Sequence, residues 1–178
     1  MAAGVYAFDQ LSKNGIVQGL EVGESIPVIG DALRFHYVLN PGAAFSIASG
    51  STWIFSVIAA AVVVFLVWFS GRIRSRAWGV LFGLLLGGTL GNLTDRLFRD
   101  PGFGIGHVVD FLSVWGFPAI FNVADVAIVS SMGLFILLTL RGVGLDGSRT
   151  PTSKRSGRRV AGTDGADGTA TRVAPDAL

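Results

Sequence analysis

The sequence predicts an all-α integral membrane protein that carries a small β element outside the bilayer. Three observations predict this fold class. Of the 178 residues, 51% are hydrophobic and only 15% are charged, which is less charge than a soluble domain needs to cover its surface. The apolar residues fall in long blocks, each near the roughly 20 residues that cross about 30 Å of hydrocarbon. One segment between blocks alternates in the manner of a strand.

The helices are predicted from these blocks in order. Residues 52–69 carry no charge, residues 77 to about 93 contain glycines that let helices approach closely, and residues about 119–140 carry one charge, Asp125. All three predict complete membrane-spanning helices. Residues 1–12 predict only part of a helix, so we expect the first helix of the bundle to be truncated.

Basic residues predict the orientation of the bundle. Three arginines lie between residues 71 and 76, and Arg141 begins a basic segment after the last helix. Because basic loops stay on the cytoplasmic side, residues 13–51 and 94–118 are expected outside. Within them, residues 33–39 predict a strand of a small extracytoplasmic sheet.

The chain is therefore divided into a membrane-embedded domain, residues 1–141, and a tail, residues 142–178. The tail is rich in Gly, Ser, Thr, Asp and Arg and lacks apolar runs. Such a segment cannot bury enough surface to fold. It is interpreted as a disordered, basic cytoplasmic tail with solvated charges and no nucleic-acid partner.

Polar residues gather at the outer ends of the predicted helices, where placing them beside hydrocarbon is costly. Several pairs are spaced three or four apart, so that each pair shares a helix face. One shared site on the outer side would explain the pattern. Its candidate residues are Asp9, Lys13, Asn40, Asn92, Asp95, Arg96, Asp110, Asn122 and Asp125.

Asp110 and Asp125 are the strongest candidates for chemistry. Both stand among apolar neighbours, and Asp125 has no basic residue within ten positions. Two carboxyl groups kept apart from cations but close to each other can share a proton. One can then act as a base towards water and the other as an acid towards a carbonyl.

The supporting residues also have purely structural interpretations, and His107 is interpreted as a loop histidine without a catalytic role. These alternatives are an ion pair between Asp9 and Lys13, an ion pair between Asp95 and Arg96, a turn at Asn40 and a helix cap at Asn122.

Other catalytic classes are excluded by missing motifs. The chain has no cysteine, so it has no thiol nucleophile or zinc–thiolate site. It has no Gly-x-Ser-x-Gly elbow. Its two histidines, His36 and His107, do not form a His-Glu-x-x-His motif. We therefore expect neither a metal nor a cofactor.

Five ordered motifs together resemble the motif series of bacterial lipoprotein signal peptidase, also called signal peptidase II. The similarity covers about residues 5–141. The motifs are DQLSK at 9–13, NPGAAF at 40–45, GGTLGNLTDR at 87–96, HVVDF at 107–111 and FNVAD at 121–125.

The resemblance implies a four-transmembrane-helix bundle in the bacterial cytoplasmic membrane, with both termini cytoplasmic and the active site at the outer face. It implies an aspartic endopeptidase that cleaves diacylglyceryl-modified prolipoproteins before the lipidated cysteine. Asp110 and Asp125 would be the catalytic pair. The support of site and substrate would come from Asp9, Lys13, Asn40, Asn92, Asp95, Arg96 and Asn122.

The resemblance also implies the partners, which are prolipoprotein substrates, membrane lipids and globomycin-type inhibitors, with the enzyme acting as a monomer. Two other functions fit the residues alone. One is a proton-coupled transporter or channel subunit, in which Asp95 and Asp125 would form a relay. The other is a non-catalytic assembly factor of the same fold, in which the carboxylates are structural.

Overall fold

The computed structural model describes residues 1–42 and 52–148. This part of the chain forms four helices and one four-stranded sheet. In chain order the elements are α1 (Ala2–Gly19), β1 (Ser25–Ile29), β2 (Leu33–Asn40), α2 (Thr52–Ser70), α3 (Arg76–Phe98), β3 (Val108–Val114), β4 (Ile120–Phe121) and α4 (Val123–Leu140).

The helices α2, α3 and α4 are long and apolar enough to cross a membrane, which confirms the three predicted spans. Their ends differ from the prediction in two places. α3 continues to Phe98, well past residue 93. α4 begins at Val123 and not near 119, because Ile120 and Phe121 pair with β3 and Asn122 caps the helix.

The first helix is longer than predicted. α1 runs to Gly19 and not only to residue 12. Its apolar signal fades after Leu11, where polar residues such as Lys13 enter the sequence. Lys13 is nevertheless fully buried against α3, so tertiary contacts and not hydrophobicity explain the continuation of the helix.

The predicted small β element is confirmed as an antiparallel sheet, and it contains more strands than the one that the sequence predicted. The four strands form an antiparallel sheet in the order β1-β2-β3-β4. Only β2 was predicted. β1 contains Pro27, which an edge strand tolerates. β3 is buried along most of its length, so it lacks the apolar–polar alternation that marks a half-buried strand.

The sheet packs on the end of α1. Ile16 of α1 forms a buried cluster with Tyr37 of β2 and with Val109 and Phe111 of β3. Asp110 stands between the last two, so it lies in the middle of a strand and not in the outer loop where it was expected. Val38 is its partner in β2.

α3 lies at the centre of the bundle and contacts the other three helices. Two of its glycines allow the closest approaches. A Cβ at Gly88 would lie 2.5 Å from the carbonyl oxygen of Ala124 in α4, and a Cβ at Gly91 would overlap the Asp9 carboxylate of α1. These glycines therefore bring the ends of α1, α3 and α4 together.

The segment after α4 begins as packed structure. Trp78 donates its indole N–H to the Val143 carbonyl at 2.9 Å, and Leu145 accepts backbone hydrogen bonds from Arg74 and Ser75 at 3.1 and 2.9 Å. Residues 149–178 of the predicted tail lie outside the described residues, as do residues 43–45 of the NPGAAF motif.

Candidate active site

The nine predicted site residues come from five different elements and meet where the sheet joins the helix bundle. Eight of them belong to one connected network of hydrogen bonds and ion pairs. The ninth, Arg96, lies beside this network and contacts other groups. The structure thus brings eight of the nine residues into contact in one place.

Asp110 projects from β3 and is only 3% exposed. Its carboxylate accepts a hydrogen bond from the Asn40 amide at 2.9 Å and another from the Asn122 amide at 2.6 Å. Burial raises the pKa of Asp110 to about 6, and the nearby Asp125 carboxylate adds to the increase, while the two amides oppose it. This carboxyl group can therefore gain or lose a proton near neutral pH.

Asp125 lies in the first turn of α4 and forms a capping box with Asn122. The Asn122 side chain accepts the Asp125 N–H at 3.0 Å, and the Asp125 carboxylate accepts the Asn122 N–H at 3.1 Å. Asn92 of α3 donates to the other carboxylate oxygen at 2.9 Å. The carboxylate is therefore held in place from two sides.

Asn122 combines the two roles that the sequence left open. Its side-chain oxygen caps α4, and its side-chain nitrogen donates to Asp110. One residue thereby fixes the positions of both candidate carboxylates. Within the described residues, neither Asp110 nor Asp125 forms a salt bridge, and all their hydrogen-bond donors are amides.

The other two acidic site residues, Asp9 and Asp95, belong to what we call the ionic cluster, defined as Asp9, Lys13, Asp95 and Arg99. Lys13 contacts the Asp9 and Asp95 carboxylates at 2.8 Å each, and all three side chains are fully buried. Arg99 contacts Asp95 at 2.7 Å. The predicted pair of Asp9 and Lys13 is confirmed, but it belongs to a larger arrangement.

Asp95 does not pair with Arg96, so that structural alternative is wrong. Its cation partners are Lys13 and Arg99, and it also accepts the backbone N–H of Val109 at 3.3 Å. The sequence analysis missed Arg99, although its position four residues after Asp95 is the helical spacing for an ion pair. By this hydrogen bond, the ionic cluster contacts Val109, the strand residue that precedes Asp110.

Gln10 is a second residue that the sequence analysis missed. It donates to the Asp9 carboxylate at 3.2 Å, the Asp95 carboxylate at 3.3 Å and the Gly91 carbonyl at 3.1 Å. It stands in the DQLSK motif, but its separate role could not be read from a pattern, because two of its three partners, Gly91 and Asp95, lie more than 80 residues away.

Asn92 connects the ionic cluster to the catalytic candidates. Its side-chain oxygen accepts from Lys13 at 2.9 Å and from Asn122 at 3.2 Å, while its nitrogen donates to Asp125. Asp9 adds a second connection, because it accepts the Ala124 N–H at 2.8 Å. The N-terminus of α4 is therefore tied to both α1 and α3.

The Arg96 side chain forms no hydrogen bond or salt bridge with this network among the described residues. Its guanidinium carbon lies 5.3 Å from the centre of the Phe55 ring, and its Nη1 atom is buried without a hydrogen-bond partner among the described residues. Gly42 lies against it, since a Cβ there would stand 3.0 Å from Nη1. Gly42 also has φ +93°, which disfavours any other residue.

A cleft of about 440 Å³ opens beside the two carboxylates. Asn40, Asp110, Asp125 and Ser130 are its polar residues, and apolar side chains of β4, α4 and the β3–β4 connection form the rest of the wall. This combination can hold an apolar, extended ligand with one polar group against the carboxylates. The apolar lining residues are Phe117, Ala119, Ile120, Phe121, Val126 and Val129.

Known proteins are similar to this chain in sequence and in fold. The family model described as signal peptidase (SPase) II matches residues 1–141. The lipoprotein signal peptidase of Leifsonia xyli subsp. xyli is 63% identical over 145 residues, covering 82% of this chain and 67% of that protein. That of Rhodococcus jostii is 46% identical over 154 residues, covering 86% and 77%.

Solved structures described as bacterial membrane enzymes determined by the in meso method share the architecture. One matches with a TM-score of 0.69 and 33% sequence identity, covering 79% of this chain and 90% of that chain. Another matches with a TM-score of 0.68 at the same identity, covering 78% and 84%.

Proposed function

This chain belongs to the signal peptidase II family and removes signal peptides from prolipoproteins, and we propose that Asp110 and Asp125 are its catalytic pair. One observation carries this proposal. The two carboxylates line the same cleft, and both are held by Asn122 without a cation partner among the described residues. The protein is then an aspartic endopeptidase.

The reaction uses one water molecule held between the two carboxyl groups. The ionised carboxylate takes a proton from the water while the water oxygen attacks the scissile carbonyl carbon. The protonated carboxyl gives its proton to the carbonyl oxygen, and a tetrahedral intermediate forms. On collapse of the intermediate, the C–N bond breaks, and the carboxyl group that took the proton of the water gives it to the leaving amine.

The pair must carry one proton between them before the reaction starts. Burial of Asp110 raises its pKa to about 6 and repulsion from Asp125 acts in the same direction, so ionising both groups at once is unfavourable. The three asparagines Asn40, Asn92 and Asn122 orient the carboxylates through hydrogen bonds. Because these amide donors carry no charge, they orient the two carboxyl groups without requiring both to be ionised.

The substrate is a prolipoprotein already modified with diacylglycerol, cut before the lipidated cysteine. The peptide lies in the cleft with its reacting carbonyl at Asp110 and Asp125 and its apolar side chains against Phe121 and Val126. The ionic cluster supports the frame of the site. Arg96, beside Gly42, supports the substrate side of the same region.

The arrangement in the membrane follows from the same proposal. The chain crosses the bacterial cytoplasmic membrane with both termini in the cytoplasm, so that the cleft faces the outer leaflet, where the substrate's lipid lies. The enzyme acts as a monomer without a cofactor, and globomycin-type cyclic peptides occupy the cleft as inhibitors.

A cleavage assay on a diacylglyceryl-modified signal peptide tests the catalytic pair. The full chain is compared with Asp110→Asn and Asp125→Asn in the same bilayer nanodiscs. Each variant should lose at least about 10²–10⁴-fold in kcat, the range that a general acid or base contributes. Asp31→Asn, which changes an exposed carboxylate in the β1–β2 turn, should cleave normally. Cleavage at the unmodified rate by either test variant would refute the assignment.

A further inference from the structure

The turn between β3 and β4, residues 115–118, places large apolar side chains on the surface. Trp115 is 81% exposed and Phe117 is 55% exposed. The whole stretch from residue 111 to residue 124 contains no charged side chain. A turn that faces water normally carries polar residues, because exposed aromatic surface is unfavourable there. The composition of this turn therefore indicates an apolar environment.

The position of the turn relative to α4 supports this reading. Phe117 lines the same cleft as Val129 and Ser130. At 1.5 Å per residue, these two positions lie about 9 and 10.5 Å along the helix from its start at Val123. α4 is one of the three helices that can span a membrane. Phe117 therefore borders the same cleft as residues inside α4, and not only those of its first turn.

The surface of the turn also continues the lipid-facing surface of α4. Val126 and Val129 are 46% and 67% exposed, as expected for residues that contact acyl chains. The adjacent β1–β2 turn differs in character. It carries an exposed ion pair between Asp31 and Arg34, and its Ala32 carbonyl accepts the Trp115 N–H at 3.1 Å.

We propose that the turn at residues 115–118 inserts into the bilayer leaflet on the sheet's side, with Trp115 and Phe117 as interfacial anchors. Trp is enriched at the level of the lipid headgroups because its ring is apolar and its N–H is polar. The neighbouring turn with Asp31 and Arg34 then lies among the headgroups. The mouth of the cleft, between Phe117 and α4, opens to lipid and not to water.

This inference identifies the partner of the turn as the lipid bilayer itself, and it gives a lipid-attached substrate a lateral path to the cleft. It rests on membrane insertion of the bundle and not on the roles of Asp110 and Asp125. A measurement of depth in the membrane can therefore fail while the catalytic assignment stands, and the reverse also holds.

Site-directed spin labelling tests the insertion, and the absence of cysteine from all 178 residues makes every label unique. The full chain with Phe117→Cys or Trp115→Cys is labelled with a nitroxide in nanodiscs of equal parts phosphatidylcholine and phosphatidylglycerol. Collision rates with oxygen, which concentrates in lipid, and with a water-soluble nickel chelate are compared. Val57→Cys, which is exposed on α2 and outside the cleft, serves as the lipid-facing reference, and Glu24→Cys, in the exposed connection before β1, as the aqueous reference.

At both turn positions, the oxygen-to-nickel collision ratio should be several-fold higher than at residue 24 and close to that at residue 57. Phe117→Cys leaves Trp115 in place, so its result does not depend on loss of the main anchor. Ratios at both turn positions equal to that at residue 24 would overturn the proposal. Repeating the series in the Asp125→Asn background should leave the ratios unchanged.

Discussion

The molecule contains two groups of buried or half-buried carboxylates that are stabilised in different ways. In the ionic cluster, Asp9 and Asp95 each contact a cation at 2.8 Å or less. In the cleft, Asp110 and Asp125 are held by asparagine amides alone among the described residues. Both groups lie at the same end of the bundle, and Asn92 contacts both.

The difference shows which carboxylates can do chemistry. Cations beside a buried carboxylate stabilise its ionised form, and removing such a partner leaves an uncompensated charge. Such a carboxylate is suited to a structural role and not to proton transfer. A carboxylate held by neutral donors in a partly desolvated cleft can be protonated near neutral pH, as the raised pKa of Asp110 indicates. The groups that contact each carboxylate, cations in the ionic cluster and amides in the cleft, therefore distinguish a structural role from a catalytic one.

Lys13→Met should have the largest effect on stability. It removes the cation shared by Asp9 and Asp95 and leaves both carboxylates buried at 0% exposure. The expected loss is about 3–5 kcal/mol in the free energy of unfolding, measured by denaturant titration in mixed micelles. Asp125→Asn, by contrast, should abolish cleavage with little change in unfolding.

Arg34→Met is the matched control for this variant, because it breaks an ion pair whose aspartate is 89% exposed and which contributes little. The distinction between the two groups of carboxylates would fail if Lys13→Met unfolded at the same denaturant concentration as Arg34→Met.

Arg99→Met should have an intermediate effect. Arg99 contributes one of two cations on Asp95, and it also donates to Asn14 at 3.1 Å. Since Lys13 remains, the loss should be about 1.5–3 kcal/mol, the usual range for a hydrogen bond to a charged group. Arg99→Lys should recover part of it. The same unfolding titration measures both.

Cleavage kinetics would add to the Arg99 result. Because Asp95 accepts the Val109 N–H next to Asp110, we expect kcat to fall and KM to change little. A variant with full stability and full kcat would show that Arg99 is a surface residue without influence on either group.

Asn40→Ala should have the smallest effect and should change the pH profile rather than the fold. The Asn40 amide donates to Asp110 and lowers its pKa, while burial raises it to about 6. Without this donor the pKa of Asp110 rises further. The limb of the pH–rate profile that reports Asp110 should therefore move to higher pH.

Asn14→Ala, which removes an exposed amide that contacts Arg99 but neither catalytic carboxylate, is the control for the pH profile. An unchanged profile in Asn40→Ala would mean that the observed limb belongs to another group.

Much of the helical architecture could be read from the sequence, because membrane spans are marked by uninterrupted apolar composition. The predicted spans agree with α2, α3 and α4 apart from their ends. The sheet was mostly missed, since β3 is buried and shows no alternation, and β1 contains Pro27. The full extent of α1 was missed because its second half is polar and is stabilised by contacts with α3.

The candidate site was predicted to a similar degree. Motif order and the cost of polar groups near lipid selected nine residues, and the structure brings eight of them into one network. Neither signal showed that Asp95 pairs with Lys13 and Arg99 and not with Arg96. Neither signal selected Arg99 or Gln10, both of which contact Asp95, where α1, α3 and β3 meet.

The sequence alone determined the membrane-spanning helices and the identity of the acidic and amide residues, because hydrophobicity and residue type are local properties of the chain. Only the tertiary structure decided which carboxylates meet cations and which meet amides. That choice depends on residues such as Lys13 and Asn92, 79 positions apart and in contact at 2.9 Å. Charge compensation acts through space, so no local pattern encodes it.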